Sequence, residues 1–306
     1  MNRSQFNKVV VPGLFSFASE AYKPRSSQQM WRKIVSSVKP SKRAYEESAY
    51  YGTLGTVPKK PEGVGIAYDE PVQGPTKRWT HATYGLGARI TEELIEDSLY
   101  PAIGRMQSLS EELGTSGRET LELLVHDVIN SGTGTTTHTD GLAGAIFATG
   151  KTRLRGGTWD NLLSPAADLS ATSLQTALQN FETQRDDSGK IQMIKPRLLL
   201  VAPANEWKAR ELLQSTYDPE SPNNSVNTIR SRNLELMVSA YLTDTDAFTL
   251  IADPPHSDGG LIAYMRRAVT IARDSDFETG DAKIKITFRF SVEINKPNTM
   301  FHSAGA

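Results

Sequence analysis

The stretch YEESAYYGTLGTVPKKPEGVGIAYDEPVQGPTKRWTHATY, residues 45–84, decides how the whole chain is interpreted. Nine glycines and prolines interrupt it, yet it contains two runs of strand-forming residues, Val64–Tyr68 and Arg78–Tyr84, with turn-forming residues at 69–74. This pattern predicts a long β-hairpin. A segment with so few large aliphatic side chains buries little of its own surface, and so long a connection is unusual inside a compact domain. We therefore expect the hairpin to project and to pack on another copy of the chain.

Charge is distributed unevenly on either side of this hairpin, although the net charge of the chain is only −1. Residues 1–45 contain nine Lys or Arg and one acid, whereas residues 85–137 contain three basic and nine acidic residues. The simpler interpretation is two solvated faces. The alternative is that both regions meet neighbouring copies, where complementary charge sets the register of association.

The composition of the 306 residues, 38% hydrophobic and without cysteine, is that of a chain with a substantial core. It permits one large domain or two to three intertwined ones. The absence of cysteine excludes disulfides and thiolate metal sites and suits a reducing cytoplasm. No apolar run is long enough for a membrane span, and Met1–Phe6 lacks the apolar region of a secretory signal.

Helical patterns flank and follow the hairpin. A short amphipathic helix is predicted around Met30–Val38, ended by Pro40. Thr91 is a candidate N-cap for a helix with an apolar stripe from Leu94 to Leu113, broken or kinked at Pro101. A second helix is predicted from Arg118 to about Asn130, with Gly132 as its C-cap.

The second half of the chain has an α+β pattern. A helix from Ser173 to about Arg185 precedes the apolar run Arg197–Ala202, which predicts a strand buried on both faces, and a helix opened by Pro203–Glu206 follows. Three further strands and a last, strictly alternating one complete the prediction: Leu234–Ser239, Phe248–Ala252, Gly260–Tyr264 and Lys283–Ile294.

Motifs that would carry chemistry are weak in this sequence. The five histidines (His81, His126, His138, His256 and His302) have no metal-ligand spacing. His138-Thr139-Asp140 lies among glycines and fits a turn, and Gly144–Thr152 has five residues between its glycines where a phosphate-binding loop needs four. There is no nucleophile elbow. We therefore assign no catalytic, cofactor-binding or metal-binding residue and expect no enzymatic activity.

The order of these parts resembles that of tailed-bacteriophage major capsid proteins. The resemblance lies in the basic arm, the extended loop, the segment Ile90–Ser98 that opens a long helix, the strand within Lys195–Pro203 and the segment Leu242–Asp253. It implies an N-terminal arm and short helix at 1–44, an extended loop at 45–85, a peripheral domain at 86–155 and 268–306 around a long spine helix, and an axial domain at 156–267.

The same resemblance implies a structural protein that self-assembles into pentamers and hexamers of an icosahedral shell around double-stranded DNA. The implied partners are further copies of the chain, a scaffolding protein, a portal, a decoration protein and, without sequence specificity, the packaged DNA, but no membrane. The protein would be made in the host cytoplasm and reside in the virion. Some relatives join a loop lysine to a neighbour's asparagine. Lys59, Lys60 and Lys77 are the possible donors and Asn295 and Asn298 the possible acceptors here, but we expect no cross-link.

Three alternatives compete with this interpretation. A tail or connector protein of the same virus is one, but such proteins rarely carry both a long spine helix and a helix–strand–helix domain. A host-encoded, encapsulin-like compartment would share the fold and hold cargo enzymes instead of a genome. A soluble α+β enzyme would have only His138, Asp140 and Lys151 as candidate residues, and it leaves residues 45–84 unexplained.

Overall fold

A computed structural model describes residues 20, 22, 29–93, 101–139, 144–217, 226–253 and 259–306. Its helices are α1 (Trp31–Ile34), α2 (Pro101–Asn130), α3 (Ala171–Glu182) and α4 (Glu206–Gln214). Its strands are β1 (Ser37–Pro40), β2 (Tyr45–Tyr51), β3 (Gln73–Thr80), β4 (Ala82–Ile90), β5 (Lys151–Thr152), β6 (Thr158–Trp159), β7 (Pro196–Val201), β8 (Glu235–Val238), β9 (Phe248–Ala252), β10 (Gly260–Ser275), β11 (Ala282–Lys296) and β12 (Met300–Ser303). The α+β fold class is thus confirmed. None of the helices in these ranges is long and apolar enough to cross a membrane.

The first sheet has the strand order β1-β10-β11-β4, with β1 parallel to β10 and the other pairs antiparallel. The alternation predicted for β11 is confirmed, because its apolar residues from Ile284 to Ile294 are buried every second position. The strand predicted at Gly260–Tyr264 is instead the start of the 16-residue β10. Its second half escaped prediction because it is half-exposed and rich in arginine.

Helix α2 lies against this sheet and is continuous over 30 residues, so the prediction of two helices is wrong. The prediction ended the first apolar stripe at Leu113 and began the second helix at Arg118, so it left residues 114–117 out of both. In the fold a Cβ at Gly117 would collide with the side chain of Ile286. The glycine therefore lets the helix approach β11 closely. The predicted stripe from Leu94 to Leu99 lies outside the described residues, and the described helix begins at Pro101.

The second sheet has the order β12-β9-β7-β8 and lies between two hydrophobic clusters. Leu198 and Leu200 of β7 face the cluster that contains α2 and β11, and Leu199 and Val201 face the cluster that contains α3 and α4. Burial on both faces is confirmed for this strand. Because β12 follows β11 directly, the last residues of the chain tie the two sheets together.

The hairpin at 45–84 is confirmed, but its arms differ from the prediction. Tyr45–Tyr51 pairs with Gln73–Thr80, and Val64–Tyr68 forms no strand. Glycine and proline close to Val64 leave that run without a regular partner. The predicted second arm is also divided at His81, beyond which Ala82–Ile90 joins the first sheet.

The helix predicted near residue 30 is shorter than expected. It ends at Ile34, and Val38 belongs to β1. β-branched residues at Val35 and Val38 favour the extended backbone that continues the first sheet. Most of the predicted N-terminal arm, residues 1–19, 21 and 23–28, lies outside the described residues.

Candidate assembly surface

The hairpin tip, which we define as residues 52–72, connects β2 to β3 and exposes apolar side chains. Val57 is 96% exposed, Ile66 70% and Tyr68 95%. Scattered apolar residues are ordinary on a protein surface, but here they follow each other along one projecting segment. The tip therefore offers apolar surface that its own subunit leaves uncovered.

Polar contacts fasten the tip to two loops of the same chain. Thr53 Oγ1 donates to Asp186 Oδ2 at 2.7 Å, and the Arg155 guanidinium pairs with Asp69 Oδ1 at 2.7 Å. The other Asp69 oxygen accepts the main-chain N–H of Gly55 at 2.7 Å. The Gly55 N–H, followed by Arg155, lowers the pKa of Asp69 below its ordinary value. These contacts hold the direction of the tip without covering its apolar side chains.

The root of the hairpin is held by a network of four ionisable side chains from β3, β11, α2 and the loop after α2. Lys77 Nζ on β3 lies 2.9 Å from Glu293 Oε2 on β11. His138 Nδ1 lies 3.0 Å from the other Glu293 oxygen, and His138 Nε2 lies 3.3 Å from Asp127 Oδ2 on α2. Lys77 also donates to the carbonyl oxygen of Thr139 at 2.6 Å. We call Lys77, Asp127, His138 and Glu293 the root network.

Opposing effects determine the pKa values in the root network. Burial lowers the pKa of His138, but the bonds and charges of Glu293 and Asp127 outweigh it and raise this pKa above its ordinary value. Burial raises the pKa of Glu293, but His138 and Lys77 outweigh it and lower this pKa. The network is therefore strongest when Glu293 is ionised and His138 is protonated.

The corner between β3 and β4 is a second buried anchor. Trp79 is fully buried, and its Nε1 donates to the Glu293 carbonyl oxygen at 3.4 Å. The His81 ring nitrogens lie 2.9 Å from Ser291 Oγ and 3.0 Å from Ser41 Oγ. Burial, and secondly the charge of Arg266, lowers the pKa of His81. This corner fixes where the hairpin leaves the first sheet.

The candidate cross-linking residues differ in their surroundings. Lys59 and Lys60 are exposed in the tip, whereas Lys77 is engaged in the root network. Asn295 is buried and its Nδ2 lies 3.4 Å from Ser48 Oγ, and Asn298 Nδ2 donates to Gln192 Oε1 at 2.6 Å. Of the three candidate lysines, only the two in the tip are exposed.

The residues of the enzyme alternative do not form a described site. His138 belongs to the root network, and Lys151 donates to the carbonyl oxygen of Ala145 at 2.6 Å. Asp140 lies outside the described residues. Within the described ranges, no group of three or more His, Asp or Glu side chains could hold a metal ion. Sequence reasoning missed Trp79, His81 and Glu293, although a Trp and a His close together near the end of a polar strand are a recognisable signal of a buried corner.

Solved structures similar in fold to this chain include subunits of phage capsids. The capsid of an empty GTA particle is 10% identical and has a TM-score of 0.58, with 92% of this chain and 90% of that one covered. The capsid of cyanophage P-SCSP1u is 11% identical (TM-score 0.57; 88% and 86% covered), and the mature capsid of bacteriophage PhiM1 is 11% identical (TM-score 0.56; 90% and 86% covered). At such identities the likeness shows a shared fold, that of tailed-phage capsid subunits.

Sequence similarity identifies the family. The family model described as phage capsid protein matches residues 74–302, well over half of the chain. The chain belongs to this family of phage capsid proteins and is a structural, major capsid protein of a virion. No curated protein matches it significantly in sequence. The family match begins within β3 and extends into β12, so it includes the root network and all strands of the two sheets except β1.

Proposed function

We propose that the protein assembles as pentamers and hexamers into an icosahedral shell that encloses double-stranded DNA. The observation that carries this proposal is the hairpin tip, whose apolar side chains at Val57, Ile66 and Tyr68 have no cover in their own subunit. Burying such surface against a neighbour is favourable in proportion to the apolar area removed from water. Closed shells built from one chain give every tip a neighbour.

The role is structural rather than catalytic in this proposal. Further partners are a scaffolding protein during assembly, a portal, a decoration protein and the packaged DNA, which the inner surface contacts without sequence specificity. The protein is made in the host cytoplasm. We also propose the division into an arm (1–44), an extended loop (45–85), a peripheral domain (86–155 and 268–306) and an axial domain (156–267). The presence of two hydrophobic clusters, one centred on α2 with β11 and one on α3 with α4, is consistent with two packing units, which the second sheet joins.

Covalent cross-links between subunits are not part of this function. The buried contacts of Asn295 and the engagement of Lys77 leave neither group presented to a neighbouring chain. We expect shells heated in denaturant and detergent to run as a single band at 33.6 kDa. A ladder of covalent oligomers on the gel would contradict this.

Electron microscopy of the purified protein, expressed with its scaffolding partner, tests the proposal. We expect closed shells, and ordered capsomers before closure. A protein that stays monomeric at high concentration by light scattering would contradict it. Particles purified from phage-producing cells distinguish the contents: DNA protected from nuclease is expected, and a protein cargo without DNA would support the compartment alternative.

A further inference from the structure

A cavity of about 410 Å³ lies where the hairpin root meets the rest of the subunit. Its lining includes Tyr50, Lys151, Trp159, Asp187, Lys296 and Asn298. We call it the root cavity. Cavities of about 300–1,000 Å³ are large enough to hold a bound group of several side chains or a small ligand.

Three residues that line the root cavity each have one buried side-chain atom without a hydrogen-bond partner within the described residues. These atoms are Arg153 Nε, Asp187 Oδ2 and Asn298 Oδ1. The Asp187 residue is only 8% exposed. Most buried polar groups in proteins are paired, so the residues that line the root cavity are not fully hydrogen-bonded within the described part of the subunit.

The charges around the root cavity favour a negatively charged occupant. Five Lys or Arg residues line it, against Asp186 and Asp187. One residue of each sign is already paired: Lys77 with Glu293, and Asp186 with Thr53 and the main-chain N–H of Lys190. Burial raises the pKa of Asp187, which disfavours its negative charge. The residues that line the root cavity therefore carry a net positive charge. The rings of Tyr50 and Trp159 add aromatic surface.

The turn between β10 and β11 has the complementary chemistry. We call residues 274–279 the acidic turn. Phe277 at its tip is 101% exposed, and Asp274 and Glu278 beside it are exposed as well. The turn is nevertheless well ordered by hydrogen bonds: Asp276 Oδ1 accepts the Glu278 N–H at 3.2 Å, and the Gly280 N–H bonds the Asp276 carbonyl oxygen at 3.0 Å. It presents an aromatic ring between two carboxylates on a preorganised loop.

A subunit cannot fill its own root cavity with this turn. The acidic turn precedes Ala282, the first residue of β11, whereas Asn295 and Lys296 at the other end of β11 line the cavity. At about 3.3 Å per residue, the strand holds the two roughly 45 Å apart. Only a second copy of the chain brings an acidic turn to a root cavity.

We propose that the acidic turn of one subunit inserts into the root cavity of a neighbouring subunit, with Phe277 against the aromatic wall and Glu278 facing Arg153. Two different surfaces of the same chain meet in such a contact, so it is heterologous, the type of contact that generates rings where its rotation closes. This inference rests on the proposed self-assembly and names one contact through which it occurs.

Cysteine cross-linking tests the contact, because the natural chain contains no cysteine. One variant carries Phe277→Cys and the other Thr152→Cys, an exposed position on the cavity rim. The two variants are mixed, assembled and oxidised. We expect a disulfide-linked dimer, which a reducing agent separates into single chains. The matched control replaces Thr152→Cys by Thr172→Cys, exposed on α3, and is expected to give no dimer above that of Phe277→Cys alone.

A charge exchange provides the second measurement. Arg153→Glu and Glu278→Arg are each expected to slow assembly, and the double variant is expected to recover. Two results would overturn the contact while leaving the proposed shell intact. One is normal shells in which the cysteine pair gives no more dimer than the control. The other is a double charge variant that assembles as slowly as the single variants. Failure of the natural chain itself to assemble would instead overturn the proposed function and the contact with it.

Discussion

The hairpin tip and strand β9 differ in the burial of their apolar residues. All five residues of β9 are buried, and they face clusters within the same subunit on both sides. In the tip, Val57, Ile66 and Tyr68 are at least 70% exposed. The difference separates two tasks: the sheets supply the stability of the subunit, and the tip holds apolar surface for association. Changes in the two regions should therefore affect different measurements.

The largest expected effect on subunit stability comes from Phe288→Ala in β11. This ring is 2% exposed and stacks on Tyr84 at a centroid distance of 5.3 Å. Its loss leaves a cavity and should lower the free energy of unfolding by about 3–5 kcal/mol. Denaturant unfolding of unassembled subunits measures it. The matched control is Phe277→Ala, which removes a fully exposed ring and should change stability by less than about 0.5 kcal/mol. Similar losses in both would contradict the comparison.

The next effect concerns Glu122, a buried carboxylate on α2. Its Oε2 accepts the main-chain N–H of Trp31 at 2.9 Å, and burial raises the pKa of Glu122 to about 7. A raised carboxylate pKa gives stability that is complete below the unfolded-state pKa and is lost as pH rises through the folded-state value. For Glu122 this loss is roughly 3 kcal/mol between about pH 4 and pH 8.

Glu122→Gln is expected to remove this loss, since the amide oxygen still accepts the Trp31 N–H and carries no charge. The free energy of unfolding of the variant should fall less than that of the natural chain over the same pH range. Exposed Glu111→Gln on the same helix is the control, with an unchanged pH profile expected. Parallel profiles for Glu122→Gln and the natural chain would show that Glu122 does not titrate in this range.

The root network joins the hairpin to the first sheet and α2, and His138→Gln tests it. Because the pKa of His138 is raised in the fold, its stabilisation is present below the unfolded-state pKa and disappears as pH rises through the folded-state pKa. The variant should lose about 1.5–3 kcal/mol near pH 6, the usual contribution of charged hydrogen bonds, and less near pH 9. Denaturant unfolding at pH 6 and at pH 9 measures the loss in free energy of unfolding. A loss that does not depend on pH would exclude the charged form of His138 from the network.

The smallest expected effect on the subunit comes from Ile66→Ser in the tip. The side chain is 70% exposed, so the free energy of unfolding should change by less than about 0.5 kcal/mol. The yield of closed shells, counted by electron microscopy, should nevertheless fall because a buried contact between subunits becomes polar. Lys60→Ser in the same segment is the control and should leave both measurements unchanged. A large stability loss in Ile66→Ser would mean that the tip belongs to the subunit's own core.

Sequence patterns predicted the elements whose periodicity agrees with their burial. The alternation of β11, the buried run of β7 and the helices on either side of β7 were recognisable because each buries side chains at its natural period. The continuity of α2 was not recognisable. Gly117 lies close to Ile286, a residue far away in the sequence, and no local pattern reveals this contact.

The candidate surface was predicted only in outline. The richness of residues 45–84 in glycine and proline indicated a projecting hairpin, but not that its arms are 45–51 and 73–80. The root network joins Lys77 to Glu293 and His138, residues far apart in sequence. Charge pairs of this kind depend on how the sheet brings strands together, which a single sequence leaves open.

Hydrogen exchange, compared between unassembled subunits and closed shells, tests the division of tasks most directly. Main-chain amides of residues 52–72 are expected to exchange rapidly in the subunit and to become protected in the shell. Those of β7 and β9 should be protected equally in both. A tip that is already protected in the isolated subunit, or that exchanges just as fast after assembly, would contradict the claim that its apolar surface is buried by a neighbouring subunit.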